Sequence, residues 1–436
     1  MWRNLWELVM RLFGKSSEDA SHKQSRKNMG YAAKYKDISE INFTAIVAGK
    51  LATLTVSESS IAISGENKRA KLLEDTIEKV WHKIKKITAT ALGCGGCLIV
   101  PYVQNGKLLF NYVSQDRLCI NAMSGEKITD ATVLADVIEK NNTNYYRYTN
   151  YAVNNGNLYI TNKTVNESGS IVAVEEWADI QDIAISNVDR VLFGFIKSPV
   201  DNRKGIDLYG VPITYGCDSI IEEIKECLVQ IKEEFENKQV RLQVDERAFK
   251  RDKNGNYIID SKIFMLGHSN GDGSLFNIFD PAIRDSSYYA RLLNLFDLLE
   301  KAIGTSKGIL TAPESRGATA TEIKAGMYDT YAMITDIRTA IEKGMTDFLY
   351  ACDVLANYYG LSPVGDYKPV FDWSYSMIES SSETWTQMKD GQAIGIRSKA
   401  ELRSWQTGES LEEAQMRIDE ITAREPTVQN LLGMNE

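Results

Sequence analysis

The chain has 436 residues, 9% of them aromatic and 25% charged, the composition of a folded protein long enough for several domains. Its formal net charge of -9 and pI near 5.2 argue against tight wrapping around nucleic acid, where Lys and Arg must neutralise phosphate. Six cysteines without regular spacing point to a reducing compartment and three histidines leave little for metal or general-base chemistry, while no apolar run of about 20 residues is present to cross a membrane as a helix.

From the start, Trp2, Leu5, Trp6, Val9, Leu12 and Phe13 share a helical face that Arg3, Glu7 and Arg11 interrupt. This pattern predicts a short amphipathic helix docked on a partner or neighbouring subunit, with docking on its own core as the alternative and membrane-surface binding least favoured, and it lacks the core of a signal peptide. Residues 15 to 30 are polar and read as a linker. Helical spacing returns at Ile38, Ile41, Ala45, Ala48 and Leu51, then at Leu72, Leu73, Ile77, Val80, Trp81, Ile84 and Ile87, which predicts two helices. Lys79, Lys83, Lys85 and Lys86 share the second with Glu74, Asp75 and Glu78, so a solvated face is the expectation rather than a nucleic-acid patch.

At Gly93-Cys94-Gly95-Gly96-Cys97 the period changes from helix to strand. Leu98 to Val103 and Leu108 to Val113 flank Asn105-Gly106, the pair that favours a tight hairpin turn. Further short strands around Tyr145 to Tyr151, Leu158 to Thr161 and Ile171 to Val174 make a β-rich region that ends near Phe195. Cys94 and Cys97 match C-x-x-C, yet no second pair and no nearby histidine follows, so packing in a close turn is expected rather than zinc or redox chemistry.

Beyond Pro199 and the glycines 205, 210 and 216, a capping box at Ser219 and Glu222 opens a helix lined by Ile220, Ile224, Cys227, Leu228, Ile231 and Phe235. Between Asp218 and Lys238 seven acids face three bases, a net of -4, so its other face is acidic. Val240 to Val244 reads as a strand, and Lys253 to Asn256 as a turn into a second strand, Tyr257 to Asp260. Asp252, Asn254 and Asn256 imitate the start of a calcium loop, but Tyr257 and Ile263 stand where Gly and Glu are needed.

Tyr289, Leu292, Leu293, Phe296, Leu299 and Ile303 mark the next helix. Gly304-Thr305-Ser306-Lys307-Gly308 and Pro313-Glu314-Ser315-Arg316-Gly317 then break the chain around Ile309-Leu310. A capping box at Thr319 and Glu322 begins a rod whose stripe runs through Ile323, Met327, Tyr331, Ile334, Ile337, Ile341, Met345, Phe348, Cys352, Leu355 and Tyr359, closed by Gly360 and Pro363. Its roughly 40 residues span about 60 Å, longer than an ordinary globular helix. A strand over Pro369 to Met377 and three short helices, Ser382 to Gly391, Ser398 to Gln406 and Leu411 to Arg424, complete the chain.

No P-loop, H-E-x-x-H, G-x-S-x-G or G-x-G-x-x-G is present and no carboxylates cluster, so no catalytic, cofactor-binding or metal-ligating residues are assigned and the chain is not read as an enzyme. The informative feature is the order: acidic helix, β-rich excursion, second helix, Gly-rich loop, long rod. The two helices can pair antiparallel, with the excursion at one end and the loop near the other.

Several stretches carry a likeness. They are Ala91 to Val103 with its hairpin, Gly210-Val-Pro-Ile-Thr-Tyr-Gly-Cys-Asp218 leading to Phe235-Glu-Asn-Lys-Gln-Val-Arg-Leu-Gln-Val244, Gly317-Ala-Thr-Ala-Thr-Glu-Ile323, and the ending Ser398-Lys-Ala-Glu-Leu402 with Glu412-Glu-Ala414. In order and spacing, over residues 31 to 425, the chain resembles the portal proteins (head-to-tail connectors) of tailed bacteriophages, of the type found in siphoviruses of Gram-positive hosts.

The resemblance implies an α+β portal-protein fold, an elongated subunit with helical stem, β-rich wing, small α/β clip and helical crown. Residues 1–215 would be the wing, 216–239 and 286–303 the stem helices, and 240–285 the clip. Residues 304–318 would be the channel loop, 319–360 the long wing helix and 361–436 the crown.

The implied partners are further copies of the chain in a ring of twelve, non-specific double-stranded DNA, large terminase, a head-completion or adaptor protein, and the major capsid and scaffold proteins, with no membrane and no cofactor. The implied setting is the virion's portal vertex, and host cytoplasm during assembly, with roles in DNA packaging and ejection. Candidate channel-loop residues are Thr305, Ser306, Lys307, Ile309, Leu310 and Arg316, with Lys307 and Arg316 as transient phosphate contacts. Glu222, Glu223, Glu226, Glu233 and Glu234 would line the stem and repel phosphate, and Arg247, Lys250, Arg251 and Lys253 of the clip would bind a motor or adaptor protein. The alternatives are another capsid or tail structural protein without a channel, and a soluble enzyme with an unrecognised site.

Overall fold

The computed structural model describes residues 38, 40–203, 208–237, 241–245, 253–254, 264–267, 276–279, 285–311, 327–373 and 381–424. The amphipathic helix expected at Met1 to Phe13, the linker at 15–30, the strand Tyr257 to Asp260 and the capping box at Thr319 lie outside these residues. The chain divides into two compact units, one up to Asp372 and one from Trp373. Helices and strands are largely segregated along the chain, as expected of the α+β class.

Helix α1 (Phe43–Val56) starts at Asn42, whose side chain accepts the Ala45 N–H at 3.0 Å. The stripe from Leu72 to Ile87 predicts one helix, but the structure has two, α2 (Lys68–Trp81) and α3 (Ile84–Cys94). They are separated where the Lys83 N–H bonds to the Val80 carbonyl at 2.8 Å, a tightened i to i+3 turn. The apolar stripe survives the break because Val80, Ile84 and Ile87 all remain buried. Lys79, Lys83, Lys85 and Lys86 are exposed, and two of them lie over aromatic rings, Lys83 over Phe110 at 5.3 Å and Lys86 over Tyr112 at 5.7 Å.

Between α1 and α2 lies a strand that the helical spacing conceals, β1 (Ser60–Ser64). The expected hairpin is present as β2 (Gly96–Gln104) and β3 (Lys107–Ser114). Asn105 and Gly106 have φ of 51° and 69°, the left-handed pair of a type I′ turn. Strands β4 (Leu118–Ser124), β5 (Lys127–Lys140), β6 (Thr143–Asn154), β7 (Asn157–Asn166) and β8 (Ile183–Ser186) form an antiparallel meander in that order. Then β9 (Gly194–Lys197) returns to the free side of β2, completing a sheet of order β3-β2-β9.

Two helices follow, α4 (Asp218–Asn237) and α5 (Asp285–Ala302). Helix α4 begins one residue earlier than the capping-box reading, so Ser219 sits inside its first turn. The two helices pack on each other: Cys227 Sγ lies 3.8 Å from the Tyr288 carbonyl and Arg291 reaches Gln230 at 3.4 Å. Between them in sequence, β10 (Arg241–Asp245) pairs in parallel with β11 (Phe264–Gly267) and antiparallel with β12 (Phe276–Phe279). The stripe predicted on α5 is rotated. Leu292, Leu295, Leu299 and Ile303 are buried, whereas Tyr289 and Leu293 are about half exposed, at 48% and 54%, because α5 carries apolar residues on more than one face.

The long helix α6 (Tyr328–Tyr358) has 31 described residues, about 46 Å of rod. Ile341, Met345, Phe348 and Cys352 are fully buried along it, and Phe348 meets Phe110 edge to face at 6.3 Å. At Gly344 the rod crosses β9 so closely that an added Cβ would come 2.6 Å from Ile196 Cγ1. Its end is a Schellman motif, with Leu361 N–H on the Ala356 carbonyl at 2.9 Å, Gly360 N–H on Asn357 at 3.2 Å, and Gly360 at φ 62°. The fully buried Arg69 of α2 clamps this end, donating to the Asp353 carbonyl (2.8 Å) and carboxylate (2.7 Å), the Ser362 carbonyl (2.7 Å) and the Pro363 carbonyl (3.3 Å). Strand β13 (Lys368–Asp372) then pairs with β1, Ile61 opposite Phe371.

In the second unit α7 (Ser381–Ala393), α8 (Lys399–Thr407) and α9 (Leu411–Arg424) match the three expected helices to within a few residues. Ser398 and Glu401 form the capping box of α8, and Gly408 at φ 73° ends it. Trp385 and Trp405 stack at 6.1 Å, and Arg403 bonds Glu409 at 3.0 Å.

Candidate functional site

Where α5 ends, the sequence turns to glycine, and the resulting loop is a built structure rather than a slack connection. Gly304, at φ 76°, closes the helix in a second Schellman motif, with Thr305 N–H on the Glu300 carbonyl at 2.9 Å and Gly304 N–H on Lys301 at 3.1 Å. The chain then folds back over the last turn of its own helix. Glu300, fully buried, turns its carboxylate into that fold. Its Oε1 accepts main-chain N–H bonds from Gly308 (3.2 Å), Leu310 (2.5 Å) and Thr311 (3.2 Å), and its Oε2 accepts the Thr311 hydroxyl at 3.0 Å.

Two further segments grip the same loop. Lys50 of α1 donates its ammonium to the Ile309 carbonyl. Beside the start of α6, Ser306 N–H donates to the Thr330 hydroxyl at 2.9 Å. Thr305, Ser306 and Ile309 are buried, so three of the predicted loop residues form its root. Lys307 is exposed and ion-paired with Asp297 at 2.7 Å, its side chain 42% accessible, and Leu310 is half-buried. Arg316 lies outside the described residues.

The predicted acidic face has more structure than the charge count implies. Glu222, Glu223 and Glu226 are exposed and Glu233 and Glu234 half-buried. Glu222, Glu226 and Glu233 line up on one side of α4, spaced at i, i+4 and i+11. Val229 lies on that same side, buried against Ile38, so apolar cover interrupts the acidic row. Glu223 faces Arg291 of α5 at 4.0 Å. Of the clip cations, Lys253 is exposed, and Arg247, Lys250 and Arg251 lie outside the described residues.

Cys94 is exposed and Cys97 buried. Burial pushes the Cys97 thiol up to about 12, with Cys94 adding a smaller push, the opposite of what a reactive or metal-binding thiolate requires. Among the described residues no three His, Cys, Asp or Glu side chains gather as a metal site, and no helix is long and apolar enough to cross a membrane.

Sequence reasoning missed Glu300, Lys50 and Thr330. One signal was available for Glu300: an acid in the last turn of a helix opposes the dipole and the run of exposed carbonyls there, so its presence calls for specific donors. Nothing in the sequence pairs Lys50 or Thr330 with the loop, since those contacts cross 259 and 24 residues.

Comparison with known proteins finds no matching family model and no matching curated protein. Among solved structures the chain is similar to one from the neck of a native gene transfer agent particle, computed with C12 symmetry. There the identity is 10% and the TM-score 0.39, over 86% of this chain and 93% of that one. It is also similar to a chain of the virion of a native gene transfer agent particle, at 9% identity and TM-score 0.40, over 93% and 98%. Likeness at this level carries no argument about what the chain does.

Proposed function

We propose that the chain is a portal protein of a tailed phage: a non-enzymatic subunit of a ring at one capsid vertex. Through that ring a separate terminase drives double-stranded DNA during packaging, DNA leaves on ejection, and head-completion and tail proteins dock. The carrying observation is the sequence order that resembles this family. The helix pair α4 and α5, with a small sheet inserted between them and a firmly rooted glycine loop leading to the long α6, supports it.

In this reading residues 1–215 and 319–360 are the wing, 216–239 and 286–303 the stem, and 240–285 the clip. Residues 304–318 are the channel loop and 361–436 the crown, whose compact part begins at Trp373. The half-exposed apolar residues Tyr289, Leu293 and Leu298 of α5 support a neighbour packed against the stem. Within the loop, exposure favours Lys307 over Thr305, Ser306 and Ile309 as the group that meets a phosphate backbone, through sequence-independent charge.

Light scattering and negative-stain microscopy of the purified protein test the reading. Twelve 49.0 kDa chains give a closed ring of about 590 kDa, with a bore of at least ~20 Å, a heterologous assembly with cyclic symmetry. A closed assembly without a bore points instead to a capsid or tail structural protein with no channel. In phage assembly, replacing Lys307 and Arg316 together by alanine is expected to lower the yield of DNA-filled heads while rings still form. Unchanged DNA content removes the loop's role.

A further inference from the structure

Among the described residues of the loop region, Glu300 is where the fold accepts an evident cost. A carboxylate taken wholly out of water is expensive unless donors saturate it, and an apolar side chain at the end of a packed helix would avoid that expense. Among the described residues, the donors that meet Glu300 are neutral: three main-chain N–H groups and one hydroxyl, all from residues 308 to 311. Hydrogen bonds to an ionised acceptor are stronger and shorter than neutral ones, and here three converge on a single oxygen. The contact therefore fixes the path of residues 308 to 311 far more tightly than apolar packing of the same volume.

We propose that Glu300 is the positioning residue of the channel loop. It fastens residues 308–311 to the end of α5 so that Ile309 stays inside while Lys307 stands at the surface beside Asp297. This rests on the channel reading above for what the loop touches, but not for the fastening itself. Among the described residues the loop has three anchors on three helices: Glu300 on α5, Lys50 on α1 and Thr330 on α6. Glu300 makes the most of these bonds among the described residues, and of the three anchors it alone holds Leu310 and Thr311, which lie beyond the points gripped at Ser306 and Ile309, so removing it frees the amides of 308, 310 and 311.

The experiment is hydrogen exchange on the assembled full-length protein, comparing the wild type with E300A, E300Q and K307A. In E300A the amides of Gly308, Leu310 and Thr311 are expected to exchange at least tenfold faster, with amides of α6 from Ile341 to Cys352 unchanged. E300Q keeps the length and one accepting oxygen but loses the charge, and is expected to restore part of the protection, leaving exchange about threefold faster than in the wild type. If E300A fails to fold, E300Q alone is read, with about threefold faster exchange confined to residues 308–311 as the supporting result.

Wild-type exchange at these three amides overturns the proposal, as does a rise of equal size throughout α6, which would mean a general core defect. K307A separates the two readings, because it leaves the fastening intact. A drop in DNA-filled heads for both K307A and E300A supports positioning and channel together. Loosened amides in E300A with full DNA content in both variants leave the fastening in place and remove the channel reading.

Discussion

At the scale of single residues, the side chains that matter most here are charged or polar groups that look like surface residues in the sequence. Arg69 sits two residues after the Asn67 cap in a stretch rich in Lys and Glu, and is nevertheless fully buried. Its partners are main-chain carbonyls that lie almost 300 positions later, which no local pattern announces. R69A would leave those carbonyls without their donor and Asp353, whose side chain is 33% exposed, without its counter-ion, and each buried acceptor left unpaired costs about 1–3 kcal/mol. R69K is expected to recover little of this, since one ammonium cannot reproduce a fork that spans three residues; urea midpoints of the three proteins measure both effects. Buried thiols and phenols make a second residue-scale prediction. Burial pushes Cys97 and Tyr148 up to about 12, Tyr151 up to about 12 despite an opposing pull from Arg147, and Cys119 up to about 11. Their ordinary values are 9.0 for the thiols and 10.0 for the phenols. Above those values the unfolded chain releases protons that the folded chain retains, so unfolding gains ground as pH rises. Stability is expected to be level below about pH 9 and to fall up to about pH 12, at about 1.4 kcal/mol per pH unit for each group titrating. A denaturant midpoint that holds steady from pH 8 to 11 would contradict this.

At the scale of elements, most of the fold was legible because its signals are local. Asn105-Gly106 dictates the β2–β3 turn, Ser398 with Glu401 starts α8, Gly304 and Gly360 stop α5 and α6, and the stripe from Ile334 to Leu355 names the face of α6 that is buried. What stayed hidden depends on distant partners. β1 is a five-residue strand stabilised by pairing with β13, and the break after Trp81 leaves the apolar spacing undisturbed. The rotated face of α5 was hidden for a similar reason, since its apolar residues fit two stripes and only packing against α4 selects one. The candidate site divides the same way. Its glycines and Lys307 could be read off, but the fastening by Glu300 could not. The crossing of α6 over β9 gives a test at this scale. Alanine at Gly344 gains about 1 kcal/mol of helix propensity, but its Cβ would come 2.6 Å from Ile196 Cγ1 and 3.1 Å from the Ile196 main-chain nitrogen. The strand backbone cannot yield as a flexible side-chain tip can, so overpacking at about 1–3 kcal/mol outweighs the propensity gain. G344A is therefore expected to be destabilised in thermal melts, and a variant more stable than wild type would show that the seam is looser than the geometry states.

At the scale of the whole molecule, the question is how one chain would close the proposed ring. Such a ring is heterologous: each subunit needs two different surfaces, one for each neighbour. Helix α5 offers a pair. At about 100° per residue, Tyr289 and Leu293 fall on one flank of the buried face formed by Leu292, Leu295 and Leu299, and Leu298 falls on the other. Leu293 is 54% and Leu298 50% exposed, so packing among the described residues leaves both flanks about half in water. If both flanks are subunit contacts, L293D spoils one and L298D the other, each by forcing a charge into an apolar seam. Each variant alone is expected to remain folded, because the changed side chain is half in water already, and to fail at ring closure in light scattering. Mixing the two is the decisive step. The intact Leu298 flank of L293D can still meet the intact Leu293 flank of L298D, so the mixture is expected to yield pairs that grow no further. Full rings from either variant would show that α5 does not face its neighbours. A mixture as monomeric as its components would show that the two flanks are not halves of one contact, and would move the subunit interface away from the stem.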